Sequence, residues 1–230
     1  MLKNSFLYAF RRSIPILIGF LPVGLAYGIL MEEAGFSFLW SGFTSLVVFA
    51  GSLQMLMISF FTGASSLLTI IVTALLLNSR HIFYGLSFLE KFRSYGGWRY
   101  FLIYGLPDES YSLLCSYKPI DGVKEKWVHV FSTALIWLYW ILFSMLGGLV
   151  GSLIPFRTDG IDFALTALFL TVAVEQWLSG KEHFPALAGF FATLGCLLLF
   201  GSESFLLPSM ALILLLLLLP RRRKGASADA

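Results

Sequence analysis

Arg80 and His81 fall in the middle of Leu67 to Leu89, a stretch otherwise apolar enough to cross a lipid bilayer. An ionised guanidinium at that depth costs roughly 3 to more than 10 kcal/mol unless a counter-charge, a water-filled hollow or a bound solute compensates it. Asp108, Glu109 and Glu175 lie inside other apolar stretches. Opposite charges are thus available from three different segments. A guanidinium can hold a carboxylate, and a carboxylate can hold an ammonium, so together they suit a zwitterionic solute such as an amino acid. A desolvated carboxylate also takes up a proton more readily.

The candidate binding residues are Arg80, Asp108, Glu109, Asn78 and Gln54, with Gly24 and Gly51 as places where an interrupted helix would expose an anion-binding N-terminus. The candidate proton carriers are Glu175, Asp108 and His81. Successive helical residues point about 100° apart, so Arg80 and His81 face different directions, as do Asp108 and Glu109. A plain architectural ion pair between Arg80 and one of the carboxylates stays open beside the solute-handling reading, although such pairs seldom add net stability over apolar packing.

Positioning these groups requires a membrane bundle. The chain has 230 residues, 58% hydrophobic and 13% charged, with a mean hydropathy of +0.83; soluble domains carry about 25% charged residues. Eight apolar segments approach the spanning requirement of about 20 residues: Ser13 to Met31, Phe36 to Phe61, Leu67 to Leu89, Tyr100 to Tyr117, Val128 to Ile154, Ile161 to Leu178, Phe184 to Phe200 and Phe205 to Leu219. The expectation is an all-α polytopic bundle of about eight transmembrane segments, with seven as the alternative. Residues 1–220 would form one transport domain and residues 221–230 a short basic tail. The first segment reads as a retained helix, since no small-residue cleavage site precedes the next span.

Eight crossings with a cytoplasmic N-terminus leave most Lys and Arg residues inside, including Lys3, Arg11, Arg12, Lys124 and the run Arg221 to Lys224, and put both termini in the cytoplasm. In that scheme the loop Lys91 to Arg99 falls outside. A re-entrant Phe36 to Phe61 would bring this loop inside but send the C-terminal cluster out. The basic clusters flank membrane segments, which argues against nucleic acid as a partner.

Several segments are poor uninterrupted helices. Gly19, Pro22 and Gly24 interrupt the first, Gly51 the second, and Gly105 and Pro107 the fourth, just before Asp108. Proline removes a backbone donor, and in lipid the freed carbonyls must face protein or water. Broken helices near a midplane site are a transporter feature. A short internal likeness between Glu33 to Phe38 and Thr158 to Phe163, with Gln54 and Gln176 late in the following segments, hints at duplication. Cys115 and Cys196 have no metal-binding or redox spacing, and no GxxxxGK[ST] run for nucleotide is present. Neither metal nor cofactor is expected.

Four stretches carry a family likeness: Gly19 to Gly28 around Pro22 and Gly24, Ser45 to Gln54 around Gly51, Leu77 to Gly85 with Asn78, Arg80 and His81, and Leu106 to Tyr111 with Asp108 and Glu109. In these the chain resembles the AzlC family, the large subunit of bacterial branched-chain amino-acid exporters, over roughly residues 10 to 200. Pro107 stands where members of that family often have Thr. The resemblance implies a protein of the bacterial inner membrane that exports leucine, isoleucine, valine and methionine together with a small AzlD-type membrane subunit. With the charged interior it gives the expected function: a secondary, proton-coupled exporter and no enzyme. The competing classes are a scaffold subunit without its own site, and an intramembrane acid-base enzyme, for which no HExxH or GxSxG motif is present.

Overall fold

The computed structural model describes residues 1–63, 65–153, 170, 173–174, 177–178, 183–201 and 205–218. Among these the chain is helical, without strands: α1 (Leu2–Glu33), α2 (Phe38–Val47), α3 (Gly51–Thr62), α4 (Leu67–Arg93), α5 (Trp98–Tyr104), α6 (Asp108–Cys115), α7 (Glu125–Leu153), α8 (Phe184–Phe200) and α9 (Leu206–Leu218). The chain divides into two compact units, Met1–Leu168 and Phe169–Ala230. In the second, α8 packs on α9.

In the first unit three helices, α1, α4 and α7, are long and apolar enough to cross a membrane. α1 and α7 pack side by side and run parallel. Ser5 Oγ accepts from the Lys124 amide, the Phe6 and Phe131 rings meet at 5.5 Å, Ser13 Oγ reaches Tyr139 Oη at 3.0 Å, and Gly151 faces Glu32. The seam depends on residues without side chains. A Cβ at Gly28 would sit 2.1 Å from the Ser144 carbonyl oxygen, and one at Gly147 would sit 2.2 Å from that of Leu25. Small residues let helix backbones approach this closely in membranes. α1 runs unbroken through Pro15 and Pro22. The expected break near Gly24 is therefore absent; Gly24 instead leaves room for Phe143, whose Cβ would lie 2.6 Å from an added methyl.

α4 runs opposite to α7. Its C-terminal Lys91 meets Glu125 at the start of α7, while its N-terminus follows α3 at the far end. Ser66 caps that start by accepting from the Thr69 amide at 3.1 Å, satisfying one of the free N–H groups of a helix start.

The two remaining segments do not cross. Phe36, before α2, and Phe61, at the end of α3, bring their rings to 5.1 Å. The Phe36 to Phe61 segment thus enters and leaves at one end, turning at Val48–Ala50. The Tyr100 to Tyr117 segment does the same from the opposite end. Trp98 at the start of α5 packs on Trp127, and Tyr117 beyond α6 packs on His129, two positions along α7. Its turn is Gly105–Pro107. The expectation of eight crossings is corrected at these two segments: each is a hairpin of half-length helices. Hydropathy measures only how much apolar chain is present, and a folded-back pair needs as much as a crossing one.

Consequently the loop Lys91 to Arg99 lies at the same end as the N-terminus, contrary to the eight-crossing scheme. Every Lys and Arg described in this unit, Arg80 apart, gathers there: Lys3, Arg11, Arg12, Lys91, Arg93, Arg99, Lys118, Lys124 and Lys126. This basic end contrasts with the far end, which carries Glu32 and Glu33. α1 with the α2–α3 hairpin, then α4 with the α5–α6 hairpin, form two units of like build and opposite direction, the inverted duplication common in transporters. The likeness between Glu33 to Phe38 and Thr158 to Phe163 concerns a different pairing, and its second half lies outside the described residues.

Single-cysteine labelling on a background lacking Cys115 and Cys196 tests the hairpins. Ser94→Cys should react from the same side of the membrane as Lys3→Cys, and Ser37→Cys and Ser65→Cys both from the other. Two full crossings would place Ser65 with Lys3 and Ser94 opposite them.

Candidate functional site

Arg80 is the central residue of α4, and both hairpin turns come to its level. Its Nη1 lies 2.8 Å from Asp108 Oδ2 and its Nη2 donates to Ser52 Oγ at 2.9 Å. Asp108 opens α6 and Ser52 is the second residue of α3. One guanidinium therefore joins the starts of two half-helices that come from opposite ends of the bundle. The sequence folds this way locally because Gly105 and Pro107 interrupt one apolar run and the turn at Phe49 interrupts the other. Acidic residues in the first turn of α6 suit the positive end of its dipole.

The turns also touch each other. Tyr104 donates its hydroxyl to the Leu46 carbonyl, and the Phe49 and Tyr104 rings lie 6.3 Å apart. Phe49 has φ +43°, the only positive φ among the described non-glycine residues. A bulky residue in the left-handed region costs on the order of 1–3 kcal/mol and persists where the surroundings hold it. Here the holders are Tyr104 and Trp137.

The site is neither sealed nor fully wet: the side chains of Arg80 and Asp108 are 36% and 39% exposed. Arg80 Nε is buried without a hydrogen-bond partner, as are Asn78 Oδ1 and Ser110 Oγ on the two helices that carry the pair. Such atoms are costly at membrane depth unless a ligand or water serves them. Tyr84, whose hydroxyl adjoins Asp108, stacks on Tyr111 with ring centroids 4.2 Å apart.

The structure separates the residues singled out from the sequence. Arg80 and Asp108 come together, and Glu109 follows as a half-buried carboxylate in the first turn of α6. His81 is half-buried on α4 beside Tyr84, with ring centroids 5.8 Å apart. Asn78 is two positions from Arg80 on another face of α4. Gly51 does begin a helix, as expected, and packs against the Trp140 ring. Gln54 has a different task from the one expected. It is fully buried; its Oε1 accepts from Trp140 Nε1 at 2.8 Å and from the Ala50 amide, and its Nε2 donates to Ser45 Oγ. With its carbonyl doubly occupied, Gln54 clamps the α2–α3 turn onto α7 and is withdrawn from the binding set. Gly24 lies in the α1–α7 seam. Glu175 lies outside the described residues.

Ser52, Ser110 and Tyr84 were not singled out from the sequence. The signal for Ser52 was present, a hydroxyl directly after the glycine that starts a helix. Among the described residues no group of three or more His, Cys, Asp or Glu side chains could hold a metal ion.

Residues 15–154, which include both hairpins and the Arg80–Asp108 pair, match the family model described as AzlC protein. The chain belongs to the AzlC family. It is 40% identical over 210 residues to the branched-chain amino acid transport protein AzlC of Bacillus subtilis, covering 91% of this chain and 83% of that one. This AzlC-family chain is also 37% identical to an uncharacterized membrane protein of Haemophilus influenzae, covering 87% and 83% of the two chains. It is 26% identical to the inner membrane protein YgaZ of Escherichia coli, covering 75% and 74%. No solved structure matches it.

Gln54→Leu should leave the Trp140 and Ala50 N–H groups buried without acceptors and lower stability by about 2–6 kcal/mol, at roughly 1–3 kcal/mol for each orphaned group. Thermal unfolding in detergent measures this; a change below about 0.5 kcal/mol would contradict the clamp. Arg80→Ala should destabilise more than the double variant Arg80→Ala/Asp108→Ala, because the single change strands a carboxylate at membrane depth.

Proposed function

We propose that this AzlC-family protein is a secondary exporter of branched-chain amino acids, taking leucine, isoleucine and valine, with methionine as a further substrate. The observation that carries the reading is the Arg80–Asp108 pair held between two interrupted helices at the middle of α4. A zwitterion can compete for both members of such a pair, its carboxylate with the guanidinium and its ammonium with the carboxylate. The Bacillus subtilis relative, named for branched-chain amino acid transport, supports the substrate class.

In this proposal Arg80 binds the substrate carboxylate, helped by Ser52 and the start of α3. Asp108 holds the ammonium, and Glu109 contributes negative charge or carries the coupling proton. His81 and Glu175 are reserve proton carriers. Asn78 on α4 and Ser110 on α6, each with an unsatisfied oxygen, add polar groups to the two helices that carry the pair. Exchange with protons, the outward direction and a small AzlD-type membrane subunit are parts of the same proposal. So is location in the bacterial inner membrane with the N-terminus in the cytoplasm, which the gathering of Lys and Arg at the N-terminal end favours. If the last three apolar segments each cross, the C-terminus is cytoplasmic too.

Movement of radiolabelled leucine in vesicles carrying the full chain and a co-expressed AzlD-type subunit tests the proposal. Saturable flux should fall at least about tenfold, a loss of about 1.4 kcal/mol or more, in Arg80→Ala and in Asp108→Asn with the protein still assembled. Unchanged flux in both variants would overturn the assigned site and favour a scaffold role. Flux indifferent to collapse of the proton gradient would remove the proton coupling and leave the carrier.

A further inference from the structure

The basic end holds a second ionisable group that the Arg80 site does not use. His129, in the second turn of α7, is wholly buried, and its Nε2 makes no hydrogen bond although Glu125 Oε1 lies 3.7 Å away. That same oxygen receives Lys91 Nζ of α4 at 2.6 Å. On its other side His129 Nδ1 meets the Tyr95 hydroxyl at 3.3 Å. Phe88, Phe92 and Tyr117 pack their rings around the imidazole.

His129 also borders a small pocket lined by Tyr8, Arg12, Tyr117 and Ser132 with the apolar Leu113, Leu114 and Val128. The groups facing the imidazole are thus Lys91 from α4, Tyr95 from the turn before α5, Tyr117 after α6, Glu125 from its own helix, and Tyr8 and Arg12 from α1. Arg12 is occupied with Ser116. A histidine serving only as apolar filling has no need of a carboxylate and a competing cation.

We propose that His129 and Glu125 form a proton-exchange site at the basic end, in which Lys91 and the imidazolium compete for one carboxylate. Burial, with the Glu125 charge as a second cause, pushes the Tyr95 hydroxyl up from its ordinary value, so it stays protonated and donates to Nδ1. Neutral His129 therefore carries its hydrogen on Nε2, facing Glu125. A proton arriving from water adds to Nδ1, and the Tyr95 oxygen turns from donor to acceptor. The imidazolium Nε2–H then draws on the Glu125 oxygen that Lys91 holds. Since Lys91 ties α4 to α7 and α4 carries Arg80, proton arrival at one end loosens the helix that holds the central pair. Between the two sites runs a chain of rings, His129 to Phe88 to Tyr111 to Tyr84. The coupling role rests on the proposed proton-linked transport; the proton site does not.

Nitrogen-15 NMR of histidine-labelled full-length protein in nanodiscs reads the site without any solute, with the His129 signal assigned by His129→Gln. The imidazole should pass from its neutral to its cationic signature as the pH falls from 7 to 3. It should do so about one pH unit higher in Lys91→Gln, where the competing cation is gone, and keep its neutral form to lower pH in Glu125→Gln. A signal that stays neutral throughout in all forms, or a titration indifferent to both substitutions, overturns the proposal. Because no transport is measured, that failure is distinct from a failure of the leucine assay.

Discussion

A guanidinium in the middle of an apolar helix has to be solvated by something, and at Arg80 the protein supplies the starts of two interrupted helices. The arrangement has a definite geometric cost. Each partner helix must end near mid-depth, so each segment has to turn back, and each turn leaves backbone groups that need partners. The chain meets that need with Gln54 and Trp140 at one turn and with Tyr104 and the Leu46 carbonyl across both. The hairpins, their contact and the central charge are therefore one structure. Removing the charge would leave two half-helices without a reason to meet.

The frame around them is set by backbone proximity. α1 and α7 come together where Gly28 and Gly147 leave no room for even a methyl group. Lipid tails offer helices no hydrophobic reason to associate, so close packing of this kind has to hold them. This wall is continuous through two prolines, whereas α4, facing the hairpins, is held at one end by Lys91 and at its centre by Arg80. α4 is thus held by ion pairs, whereas α1 and α7 are joined by the glycine seam with hydrogen bonds beside it.

Much of this was legible in the sequence and some was not. Helix content, the membrane class and the need of Arg80 for a carboxylate partner, with Asp108, Glu109 and Glu175 all open, followed from hydropathy and from the scarcity of charge at depth. The interruptions at Gly51 and Pro107 followed from residue chemistry. The same chemistry misled at Pro22, where α1 runs on unbroken, and Gly24 and Gly28 beyond it answer to Phe143 and Ser144. The Phe36 to Phe61 hairpin stood as the re-entrant alternative, but the Tyr100 to Tyr117 hairpin was hidden because its evidence is contacts between residues far apart in the chain, Trp98 with Trp127 and Tyr117 with His129. His129 was not singled out from the sequence, since what encloses it is the packing of Phe88, Phe92 and Tyr95 from elsewhere in the chain.

The half-helices bring one more quantity to the centre. The start of a helix acts like roughly half a positive charge, and α3 and α6 both start beside Arg80. With the guanidinium that makes about two positive units, set against Asp108 and Glu109 as two negative ones when both are ionised. The core is then close to electroneutral while empty. A guest bearing one charge of each sign keeps it so, whereas a simple cation or anion would leave an uncompensated charge inside the lipid.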